Sequence, residues 1–148
     1  MRNKTMFHKV KSVTSIVPYK LNVQFSDGTT KQYDVSSLFE TMPVFSYLKD
    51  NPEEFSAVSV DTGGYGIVWN DDIDLSSDEL WDHGVQIKTP FDGLLAFSEA
   101  SEIWNLNEST LRKAVSYGKL VISIDVCKFG KQWVVSRDAM KREYGEPN

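Results

Sequence analysis

Apolar and polar residues alternate along Lys20–Ser26, and β-favouring residues resume along Thr29–Val35. A period of two is typical of a strand that buries one face. Between the two runs, Asp27-Gly28 supplies residues that tolerate a positive φ, so the pattern predicts a β-hairpin. Phe7–Val17 is a weaker strand candidate, which Pro18 would end because proline has no N–H for a ladder.

The pattern then changes to short mixed elements. Pro43 suits the first position of a helix over Val44–Lys49, and a following proline closes it. Ala57–Val60 and Tyr65–Trp69 flank a glycine-rich turn and predict a second hairpin. A capping box at Ser76 and Glu79 predicts a helix over Ser77–His83, which Gly84 ends.

Val85–Phe91 contains Pro90 and has no period long enough to predict an element. We therefore expect a boundary there. The expected fold class is α+β, with a small β-rich domain over residues 1–87 and a second domain over 91–148. Domains of this size bury a marginal core, so contact with another subunit would help to stabilise them.

Two short helices are predicted next to each other in the second domain. Ser98 is a suitable N-cap for the first, whose residues Ala100, Ile103 and Trp104 share one face. The chain turns at Asn105-Leu106-Asn107, and Asn107 caps a second helix over Glu108–Tyr117 that Gly118 ends. Two helices joined by so short a turn predict a helix-turn-helix.

The outer face of the second helix carries hydroxyls near its start and cations in its middle. Arginine can bind guanine through two hydrogen bonds, and a helix N-terminus can meet phosphates or base edges. Lysines that follow the helix could hold the DNA backbone. The predicted DNA-binding residues are Ser109, Thr110, Arg112, Lys113, Ser116, Lys119, Lys128 and Lys131.

Residues 98–100, 106–113 and 118–120 together resemble the helix-turn-helix of the MerR and excisionase type of winged-helix proteins. Asn105 stands where that family usually has glycine. The resemblance implies that a basic β-hairpin wing and a further helix follow. Val121–Val126 would be the first wing strand, Lys128–Lys131 the wing tip and Gln132–Val135 the return strand. It also implies that the domain is similar to the stand-alone helix-turn-helix modules of bacterial and phage regulators and antitoxin-like proteins.

The first domain resembles the bacterial DUF2442 family, whose function is unknown. The resemblance rests on Leu21–Gly28, Tyr33–Val35, Leu38-Phe39, Trp69 and Asp74–Ser76. Members are known near toxin–antitoxin-like gene pairs. The resemblance therefore implies a protein partner, a toxin or a target enzyme, and implies no chemistry.

The net charge of −5 is unevenly distributed along the 148 residues. Residues 1–90 carry 13 acidic and 8 basic side chains, residues 91–148 carry 8 of each, and residues 108–137 have a local charge of +4. Basic charge therefore concentrates on the elements that would meet DNA. The acidic half would repel DNA or attract a basic partner.

Other chemistry finds little support in the sequence. His8, His83 and Cys127 are too few and too scattered for a zinc site, and no nucleophile has a base beside it. Asp71–Asp74 is expected to be a solvated acidic loop, and the glycine-rich turn lacks the spacing of a phosphate-binding loop. Trp104, Phe129 and Trp133 are expected to pack in the core. We expect no cofactor, no metal and no enzymatic activity.

The sequence thus predicts a cytoplasmic regulator that binds double-stranded DNA, antitoxin-like or a repressor, and homodimeric. No signal peptide or membrane span is predicted. One alternative is that the two helices serve only for packing or protein contact. Their charged side chains would then be solvated surface residues that contact no DNA. The other is a non-enzymatic inhibitor that binds a basic enzyme through its acidic domain.

Overall fold

The computed structural model describes residues 7–147, and the chain forms two compact units. The described part of the first unit is Phe7–Pro90, and that of the second begins at Phe91. The first unit is β-rich and the second is a winged helix-turn-helix, so the fold class is α+β.

The first unit contains two antiparallel sheets. One has the order β1-β2-β3-β7, and the other has the order β4-β5-β6. Their strands are β1 (Val10–Ile16), β2 (Lys20–Phe25), β3 (Thr30–Asp34), β4 (Ser59–Val60), β5 (Gly66–Asn70), β6 (Ile73–Ser76) and β7 (Val85–Ile87). Helices lie between them: α1 (Pro43–Lys49), α2 (Pro52–Ser56) and α3 (Ser77–His83), with 3-10 turns at Val35–Leu38 and Thr62–Gly64.

The alternation along β2 has its predicted result. Leu21, Val23 and Phe25 are buried in the core of the first unit, while the residues between them are partly exposed. Gly28 has a φ of 89°, and the Asp27 carboxylate accepts the Thr29 N–H. The predicted hairpin is therefore confirmed, with β2 and β3 paired antiparallel.

The second unit builds a three-stranded sheet, order β8-β10-β9, against three helices. The elements are β8 (Leu94–Ala96), α4 (Phe97–Ile103), α5 (Glu108–Ser116), β9 (Val126–Phe129), β10 (Gln132–Ser136) and α6 (Arg137–Tyr144). Leu111 and Ala114 of α5 meet Leu95, Val135 and Met140 in a second apolar core. Burial of these side chains stabilises the unit and fixes which face of α5 points outward.

Three strands differ from the sequence prediction. The segment expected to be without an element holds β7, a short edge strand whose backbone pairs with β3 and whose Val85 is exposed. β6 and β8 were also not predicted. All three have only three or four residues, too few to display a period, and the partners of β7 and β8 are distant in sequence.

The first wing strand is also corrected. Val121–Val126 was predicted to be this strand, but residues 121–125 form a turn and the strand begins at Val126. Ser123 has a φ of 73°, which a β-strand does not allow. The β-branched composition was outweighed by hydrogen bonds to the buried Asp125, described below.

Candidate nucleic-acid interface

Helix α4 begins differently from the sequence prediction. Ala96 occupies the N-cap position in place of Ser98, and the Glu99 carboxylate accepts the Ala96 N–H at 2.9 Å. This is the reciprocal half of a capping box, made without a capping hydroxyl. Ser98 lies one residue inside the helix, where its carbonyl accepts the Ser101 hydroxyl.

The turn between α4 and α5 is held by the backbone. Asn105 has a φ of 56°, a left-handed conformation in which asparagine is enriched among non-glycine residues. The Leu106 N–H donates to the Ser101 carbonyl at 2.7 Å, and the Leu106 side chain packs against the core. Asn107 is the N-cap of α5, although its side chain makes no capping hydrogen bond. The turn thereby fixes the direction in which α5 leaves.

Helix α5 presents one polar face. At about 100° per residue, Ser109, Arg112, Lys113 and Ser116 lie within an arc of about 100°. All four are exposed, and this arc is opposite the buried Leu111 and Ala114. Thr110 lies at the flank and is half-buried. The structure therefore brings four of the predicted residues together on one surface, which we call the α5 outer face.

Arg112 has a partner within α5. Its guanidinium lies 3.3 Å from the Glu108 carboxylate, four residues earlier, and both side chains are substantially exposed. The Ser116 hydroxyl donates to the Arg112 carbonyl at 3.3 Å. An exposed pair of this kind contributes little to stability. The guanidinium can therefore exchange Glu108 for another anion at small cost.

The loop between α5 and β9 is organised by a buried carboxylate. Asp125 is 6% exposed and binds the Arg142 guanidinium through both oxygens, at 3.0 and 2.8 Å. Oδ2 also accepts the Val121 N–H. The hydrogen bonds from Arg142, and then that from Val121, hold the pKa of Asp125 below its ordinary value.

The same arginine reaches the end of α5. Its Nη2 donates to the Lys119 carbonyl at 3.5 Å, and the Lys119 ammonium lies 5.2 Å from the Tyr144 ring centre. Arg142 therefore joins α6, the loop and the residue that follows α5. Sequence reasoning missed this cluster. The available signal was Asp125 itself, since it is the one charged residue among the mostly apolar residues 120–127.

The wing is the hairpin of β9 and β10, with Gly130-Lys131 as its two-residue turn. Gly130 has a φ of 62°, as such a turn requires. Lys131 is exposed at the tip, whereas Lys128 lies in β9 with its ammonium 5.5 Å from the Trp133 ring centre. Phe129 is 60% exposed, so its predicted place in the core is wrong. Trp133 and Trp104 do pack against the core.

Two family models match the chain, and the boundary between them lies close to the boundary between the two compact units. The model of a protein of unknown function, DUF2442, matches residues 10–86, and a helix-turn-helix domain model matches residues 87–148. The chain belongs to the DUF2442 family. Its second unit is a helix-turn-helix domain, so the resemblance to DUF2442 and the predicted helix-turn-helix are confirmed.

One solved structure is similar to this chain over most of its length. It is the "Putative DNA Binding Protein NE0471" of Nitrosomonas europaea ATCC 19718. The two share 19% identity at a TM-score of 0.47, covering 97% of this chain and 79% of the other. No curated protein matches the chain.

The DUF2442 segment has a small polar cluster of its own. The Tyr33 hydroxyl donates to Glu79 Oε2 at 2.8 Å, and His83 Nδ1 lies 3.1 Å from Glu79 Oε1. Burial, followed by the hydrogen bond to Glu79, raises the pKa of Tyr33. Within residues 7–147, no group of three His, Cys, Asp or Glu side chains could hold a metal ion. No helix in this range is long and apolar enough to cross a membrane.

Proposed function

We propose that this protein is a bacterial or phage transcriptional regulator, antitoxin-like, that docks α5 in the major groove of double-stranded DNA. The α5 outer face is the observation that carries the proposal. It combines two cations and two hydroxyls on the exposed side of the second helix of a helix-turn-helix domain. Such a regulator acts in the cytoplasm, where bacterial DNA lies.

Each residue of the face has a chemical role in this proposal. Arg112 exchanges Glu108 for the two acceptors of a guanine edge, and Lys113 binds a phosphate or a base acceptor. Ser109 lies in the first turn of α5, where hydroxyls and backbone N–H groups suit a phosphate. Thr110 and Ser116 lie at the flank and the far end of the same contact.

Lysines outside α5 complete the proposed contact. Lys119 follows the helix, and Lys128 and Lys131 belong to the wing. Their ammonium groups suit the DNA backbone, because a flexible point charge binds phosphate without reading sequence. Lys119 is next to the loop that Asp125 and Arg142 hold, so that cluster positions one phosphate contact.

A homodimer is part of the proposal. A single module of this size buries only about 600–1,000 Å² on DNA, and a dimer on a two-fold site doubles that area. The DUF2442 unit is the candidate for dimerisation, for binding a toxin or another protein, or for both. Its acidic charge favours a basic partner.

The first test replaces Arg112 and Lys113 with alanine. We expect the double variant to bind duplex DNA at least about tenfold more weakly, since each good contact contributes about 1–3 kcal/mol. Both side chains are exposed, so the fold and melting temperature should stay unchanged. The measurement is a fluorescence-anisotropy titration of labelled genomic fragments at several salt concentrations.

The matched control replaces Lys49 and Lys88, which are exposed lysines of the DUF2442 unit. It removes the same charge but should keep the wild-type affinity. Equal loss in both double variants would mean that only net charge matters and would reject the assignment to α5. If the wild-type protein binds no duplex even at low salt, the alternative of a non-enzymatic inhibitor acting through the acidic unit is favoured.

A further inference from the structure

Helix α1 of the DUF2442 unit is apolar on two sides. Phe45 and Leu48 are buried in the core, at 1% and 0% exposure. Val44 and Tyr47, which share another face at a spacing of three residues, are 41% and 47% exposed. The preceding Met42 is 44% exposed. A surface helix normally has one apolar stripe, so the second one is an unpartnered surface.

This second face borders a groove of about 370 Å³. One wall is α1 with its C-cap, and the other is the turn from β5 to β6 with the strand ends beside it. The lining residues are Pro43, Val44, Ser46, Tyr47 and Asp50 on the first wall and Asn70, Asp72 and Ile73 on the second. The groove thus has apolar side chains from α1 and a carboxylate from each wall. We call it the α1 groove.

The carboxylates of the groove belong to a larger charge field. Residues 40–82 contain eleven Asp and Glu side chains and a single lysine, Lys49. The carboxylate of Asp50 stands at the C-cap of α1, where the negative end of the helix disfavours an anion. The Asp72 backbone N–H donates to the Asn70 side chain, so this hydrogen bond does not engage the Asp72 carboxylate. The described hydrogen bonds give neither carboxylate a structural role.

We infer that the α1 groove binds a protein segment that presents an apolar side chain flanked by lysine or arginine. The apolar side chain would pack on Val44 and Tyr47, and the cations would meet Asp50 and Asp72. Charge complementarity selects this occupant, because a field of this density attracts cations and repels nucleic acid and anionic membrane. The inference gives a surface and a chemistry to the protein partner proposed above, and it does not depend on DNA binding.

A second copy of the chain docking groove to groove is disfavoured. A two-fold dimer sets the same patch against itself, so Asp50 and Asp72 would meet the acidic patch of the second copy. Like charges brought together in a contact are unfavourable. The homodimer proposed above would therefore use another surface of the unit.

The test uses the full chain and a defined probe. The probe is a labelled amphipathic peptide of lysine and leucine of about 15 residues, long enough to form a helix. One companion peptide keeps every lysine and replaces leucine with serine, and another keeps every leucine and replaces lysine with glutamate. Fluorescence anisotropy at moderate salt measures their affinities. We expect the lysine–leucine peptide to bind and both companions to bind at least about tenfold more weakly.

Variants of the chain locate the binding. The double variant Asp50→Asn, Asp72→Asn should bind the lysine–leucine peptide about tenfold more weakly than the wild type, and so should the single variant Tyr47→Ala. The matched control is Asp78→Asn with Asp82→Asn, which removes the same charge from α3, whose residues do not line the groove. The control should keep its affinity. Because Asp50 opposes the helix dipole, Asp50→Asn should leave the melting temperature unchanged or raise it.

Four results would overturn the inference. Equal loss in the control pair would mean that the acidic field attracts cations without a groove. Unchanged binding by Tyr47→Ala, or equal binding of the lysine–serine peptide, would remove the apolar contact. Sedimentation that finds a wild-type dimer abolished by Tyr47→Ala would assign the groove to a second copy. DNA affinity separates the two proposals, since the groove variants should keep it and the Arg112 and Lys113 variant should lose it.

Discussion

Asp125 shows how one side chain can decide the path of a whole segment. The β-branched residues around it favour a strand. Its carboxylate binds the Val121 N–H and the Arg142 guanidinium, and these hydrogen bonds close a turn instead. From the sequence, the pairing with Arg142 could not be predicted, because the two residues are 17 positions apart on different elements.

Replacing Asp125 with alanine should destabilise the second unit by about 1 kcal/mol or more, since the Val121 N–H and Arg142 lose their acceptor. Chemical denaturation measures this. Arg142→Ala should also destabilise the unit, and the double variant should lose less than the sum of the two single losses. Strict additivity would mean that the two side chains do not act together.

The stability that Asp125 contributes should depend on pH. Its pKa is lowered in the folded state, so the contribution is fully present above its unfolded pKa of about 3.9. It is lost as pH falls through the lower folded pKa, because the protonated carboxyl no longer attracts Arg142. Stability curves of the wild type and Asp125→Asn should therefore converge below about pH 4. A difference that stays constant down to pH 2 would contradict this assignment.

At the scale of elements, the sequence predicts those whose signals are local. The β2–β3 hairpin follows from alternation and Asp27-Gly28, and α5 follows from an apolar stripe between Asn107 and Gly118. Strand β7 has no such signal, because three backbone-paired residues with an exposed Val85 resemble a linker. The sequence predicted that α5 would form the candidate DNA-binding site. It did not predict that Arg142 of α6 would hold the loop after α5.

Gly118 ends α5 with a φ of 78°, and the Lys119 N–H donates to the Ala114 carbonyl. Gly118→Ala should cost about 1–2 kcal/mol, because an L-residue is strained in this conformation. A Cβ at this position would have no neighbour within 4 Å. The substitution therefore tests backbone strain without a steric clash. Gly118→Asn should lose less, since asparagine tolerates positive φ. Thermal unfolding ranks the three proteins, and equal losses for alanine and asparagine would contradict the reason given.

At the scale of the whole molecule, charge is separated along the chain. The strongly acidic segment lies in the DUF2442 unit, while the cations of the α5 outer face and the wing lie in the helix-turn-helix unit. The sequence predicts this separation, since charge can be counted by position. The α1 groove was not predictable, because it needs residues of α1 and of the β5–β6 turn to meet in space.

Salt titration tests the DNA contact as a whole. If Lys113, Lys119, Lys128 and Lys131 each neutralise one phosphate, the logarithm of the association constant should fall with the logarithm of salt concentration at a slope of roughly −3.6 per monomer. Replacing Lys128 and Lys131 with alanine should reduce the slope by about 1.8. An unchanged slope in that variant would exclude the wing from the backbone contact.

The bridge from Arg142 to Asp125 also affects how this protein can be shortened. Arg142 lies in α6, yet its guanidinium secures the loop that follows α5. A truncation that removes Arg142 would release that loop while the lysines of the proposed DNA contact stayed in place. Deletion mapping would then assign DNA recognition to the deleted segment, although the contacts of Arg142 are with a turn 17 residues earlier in the chain.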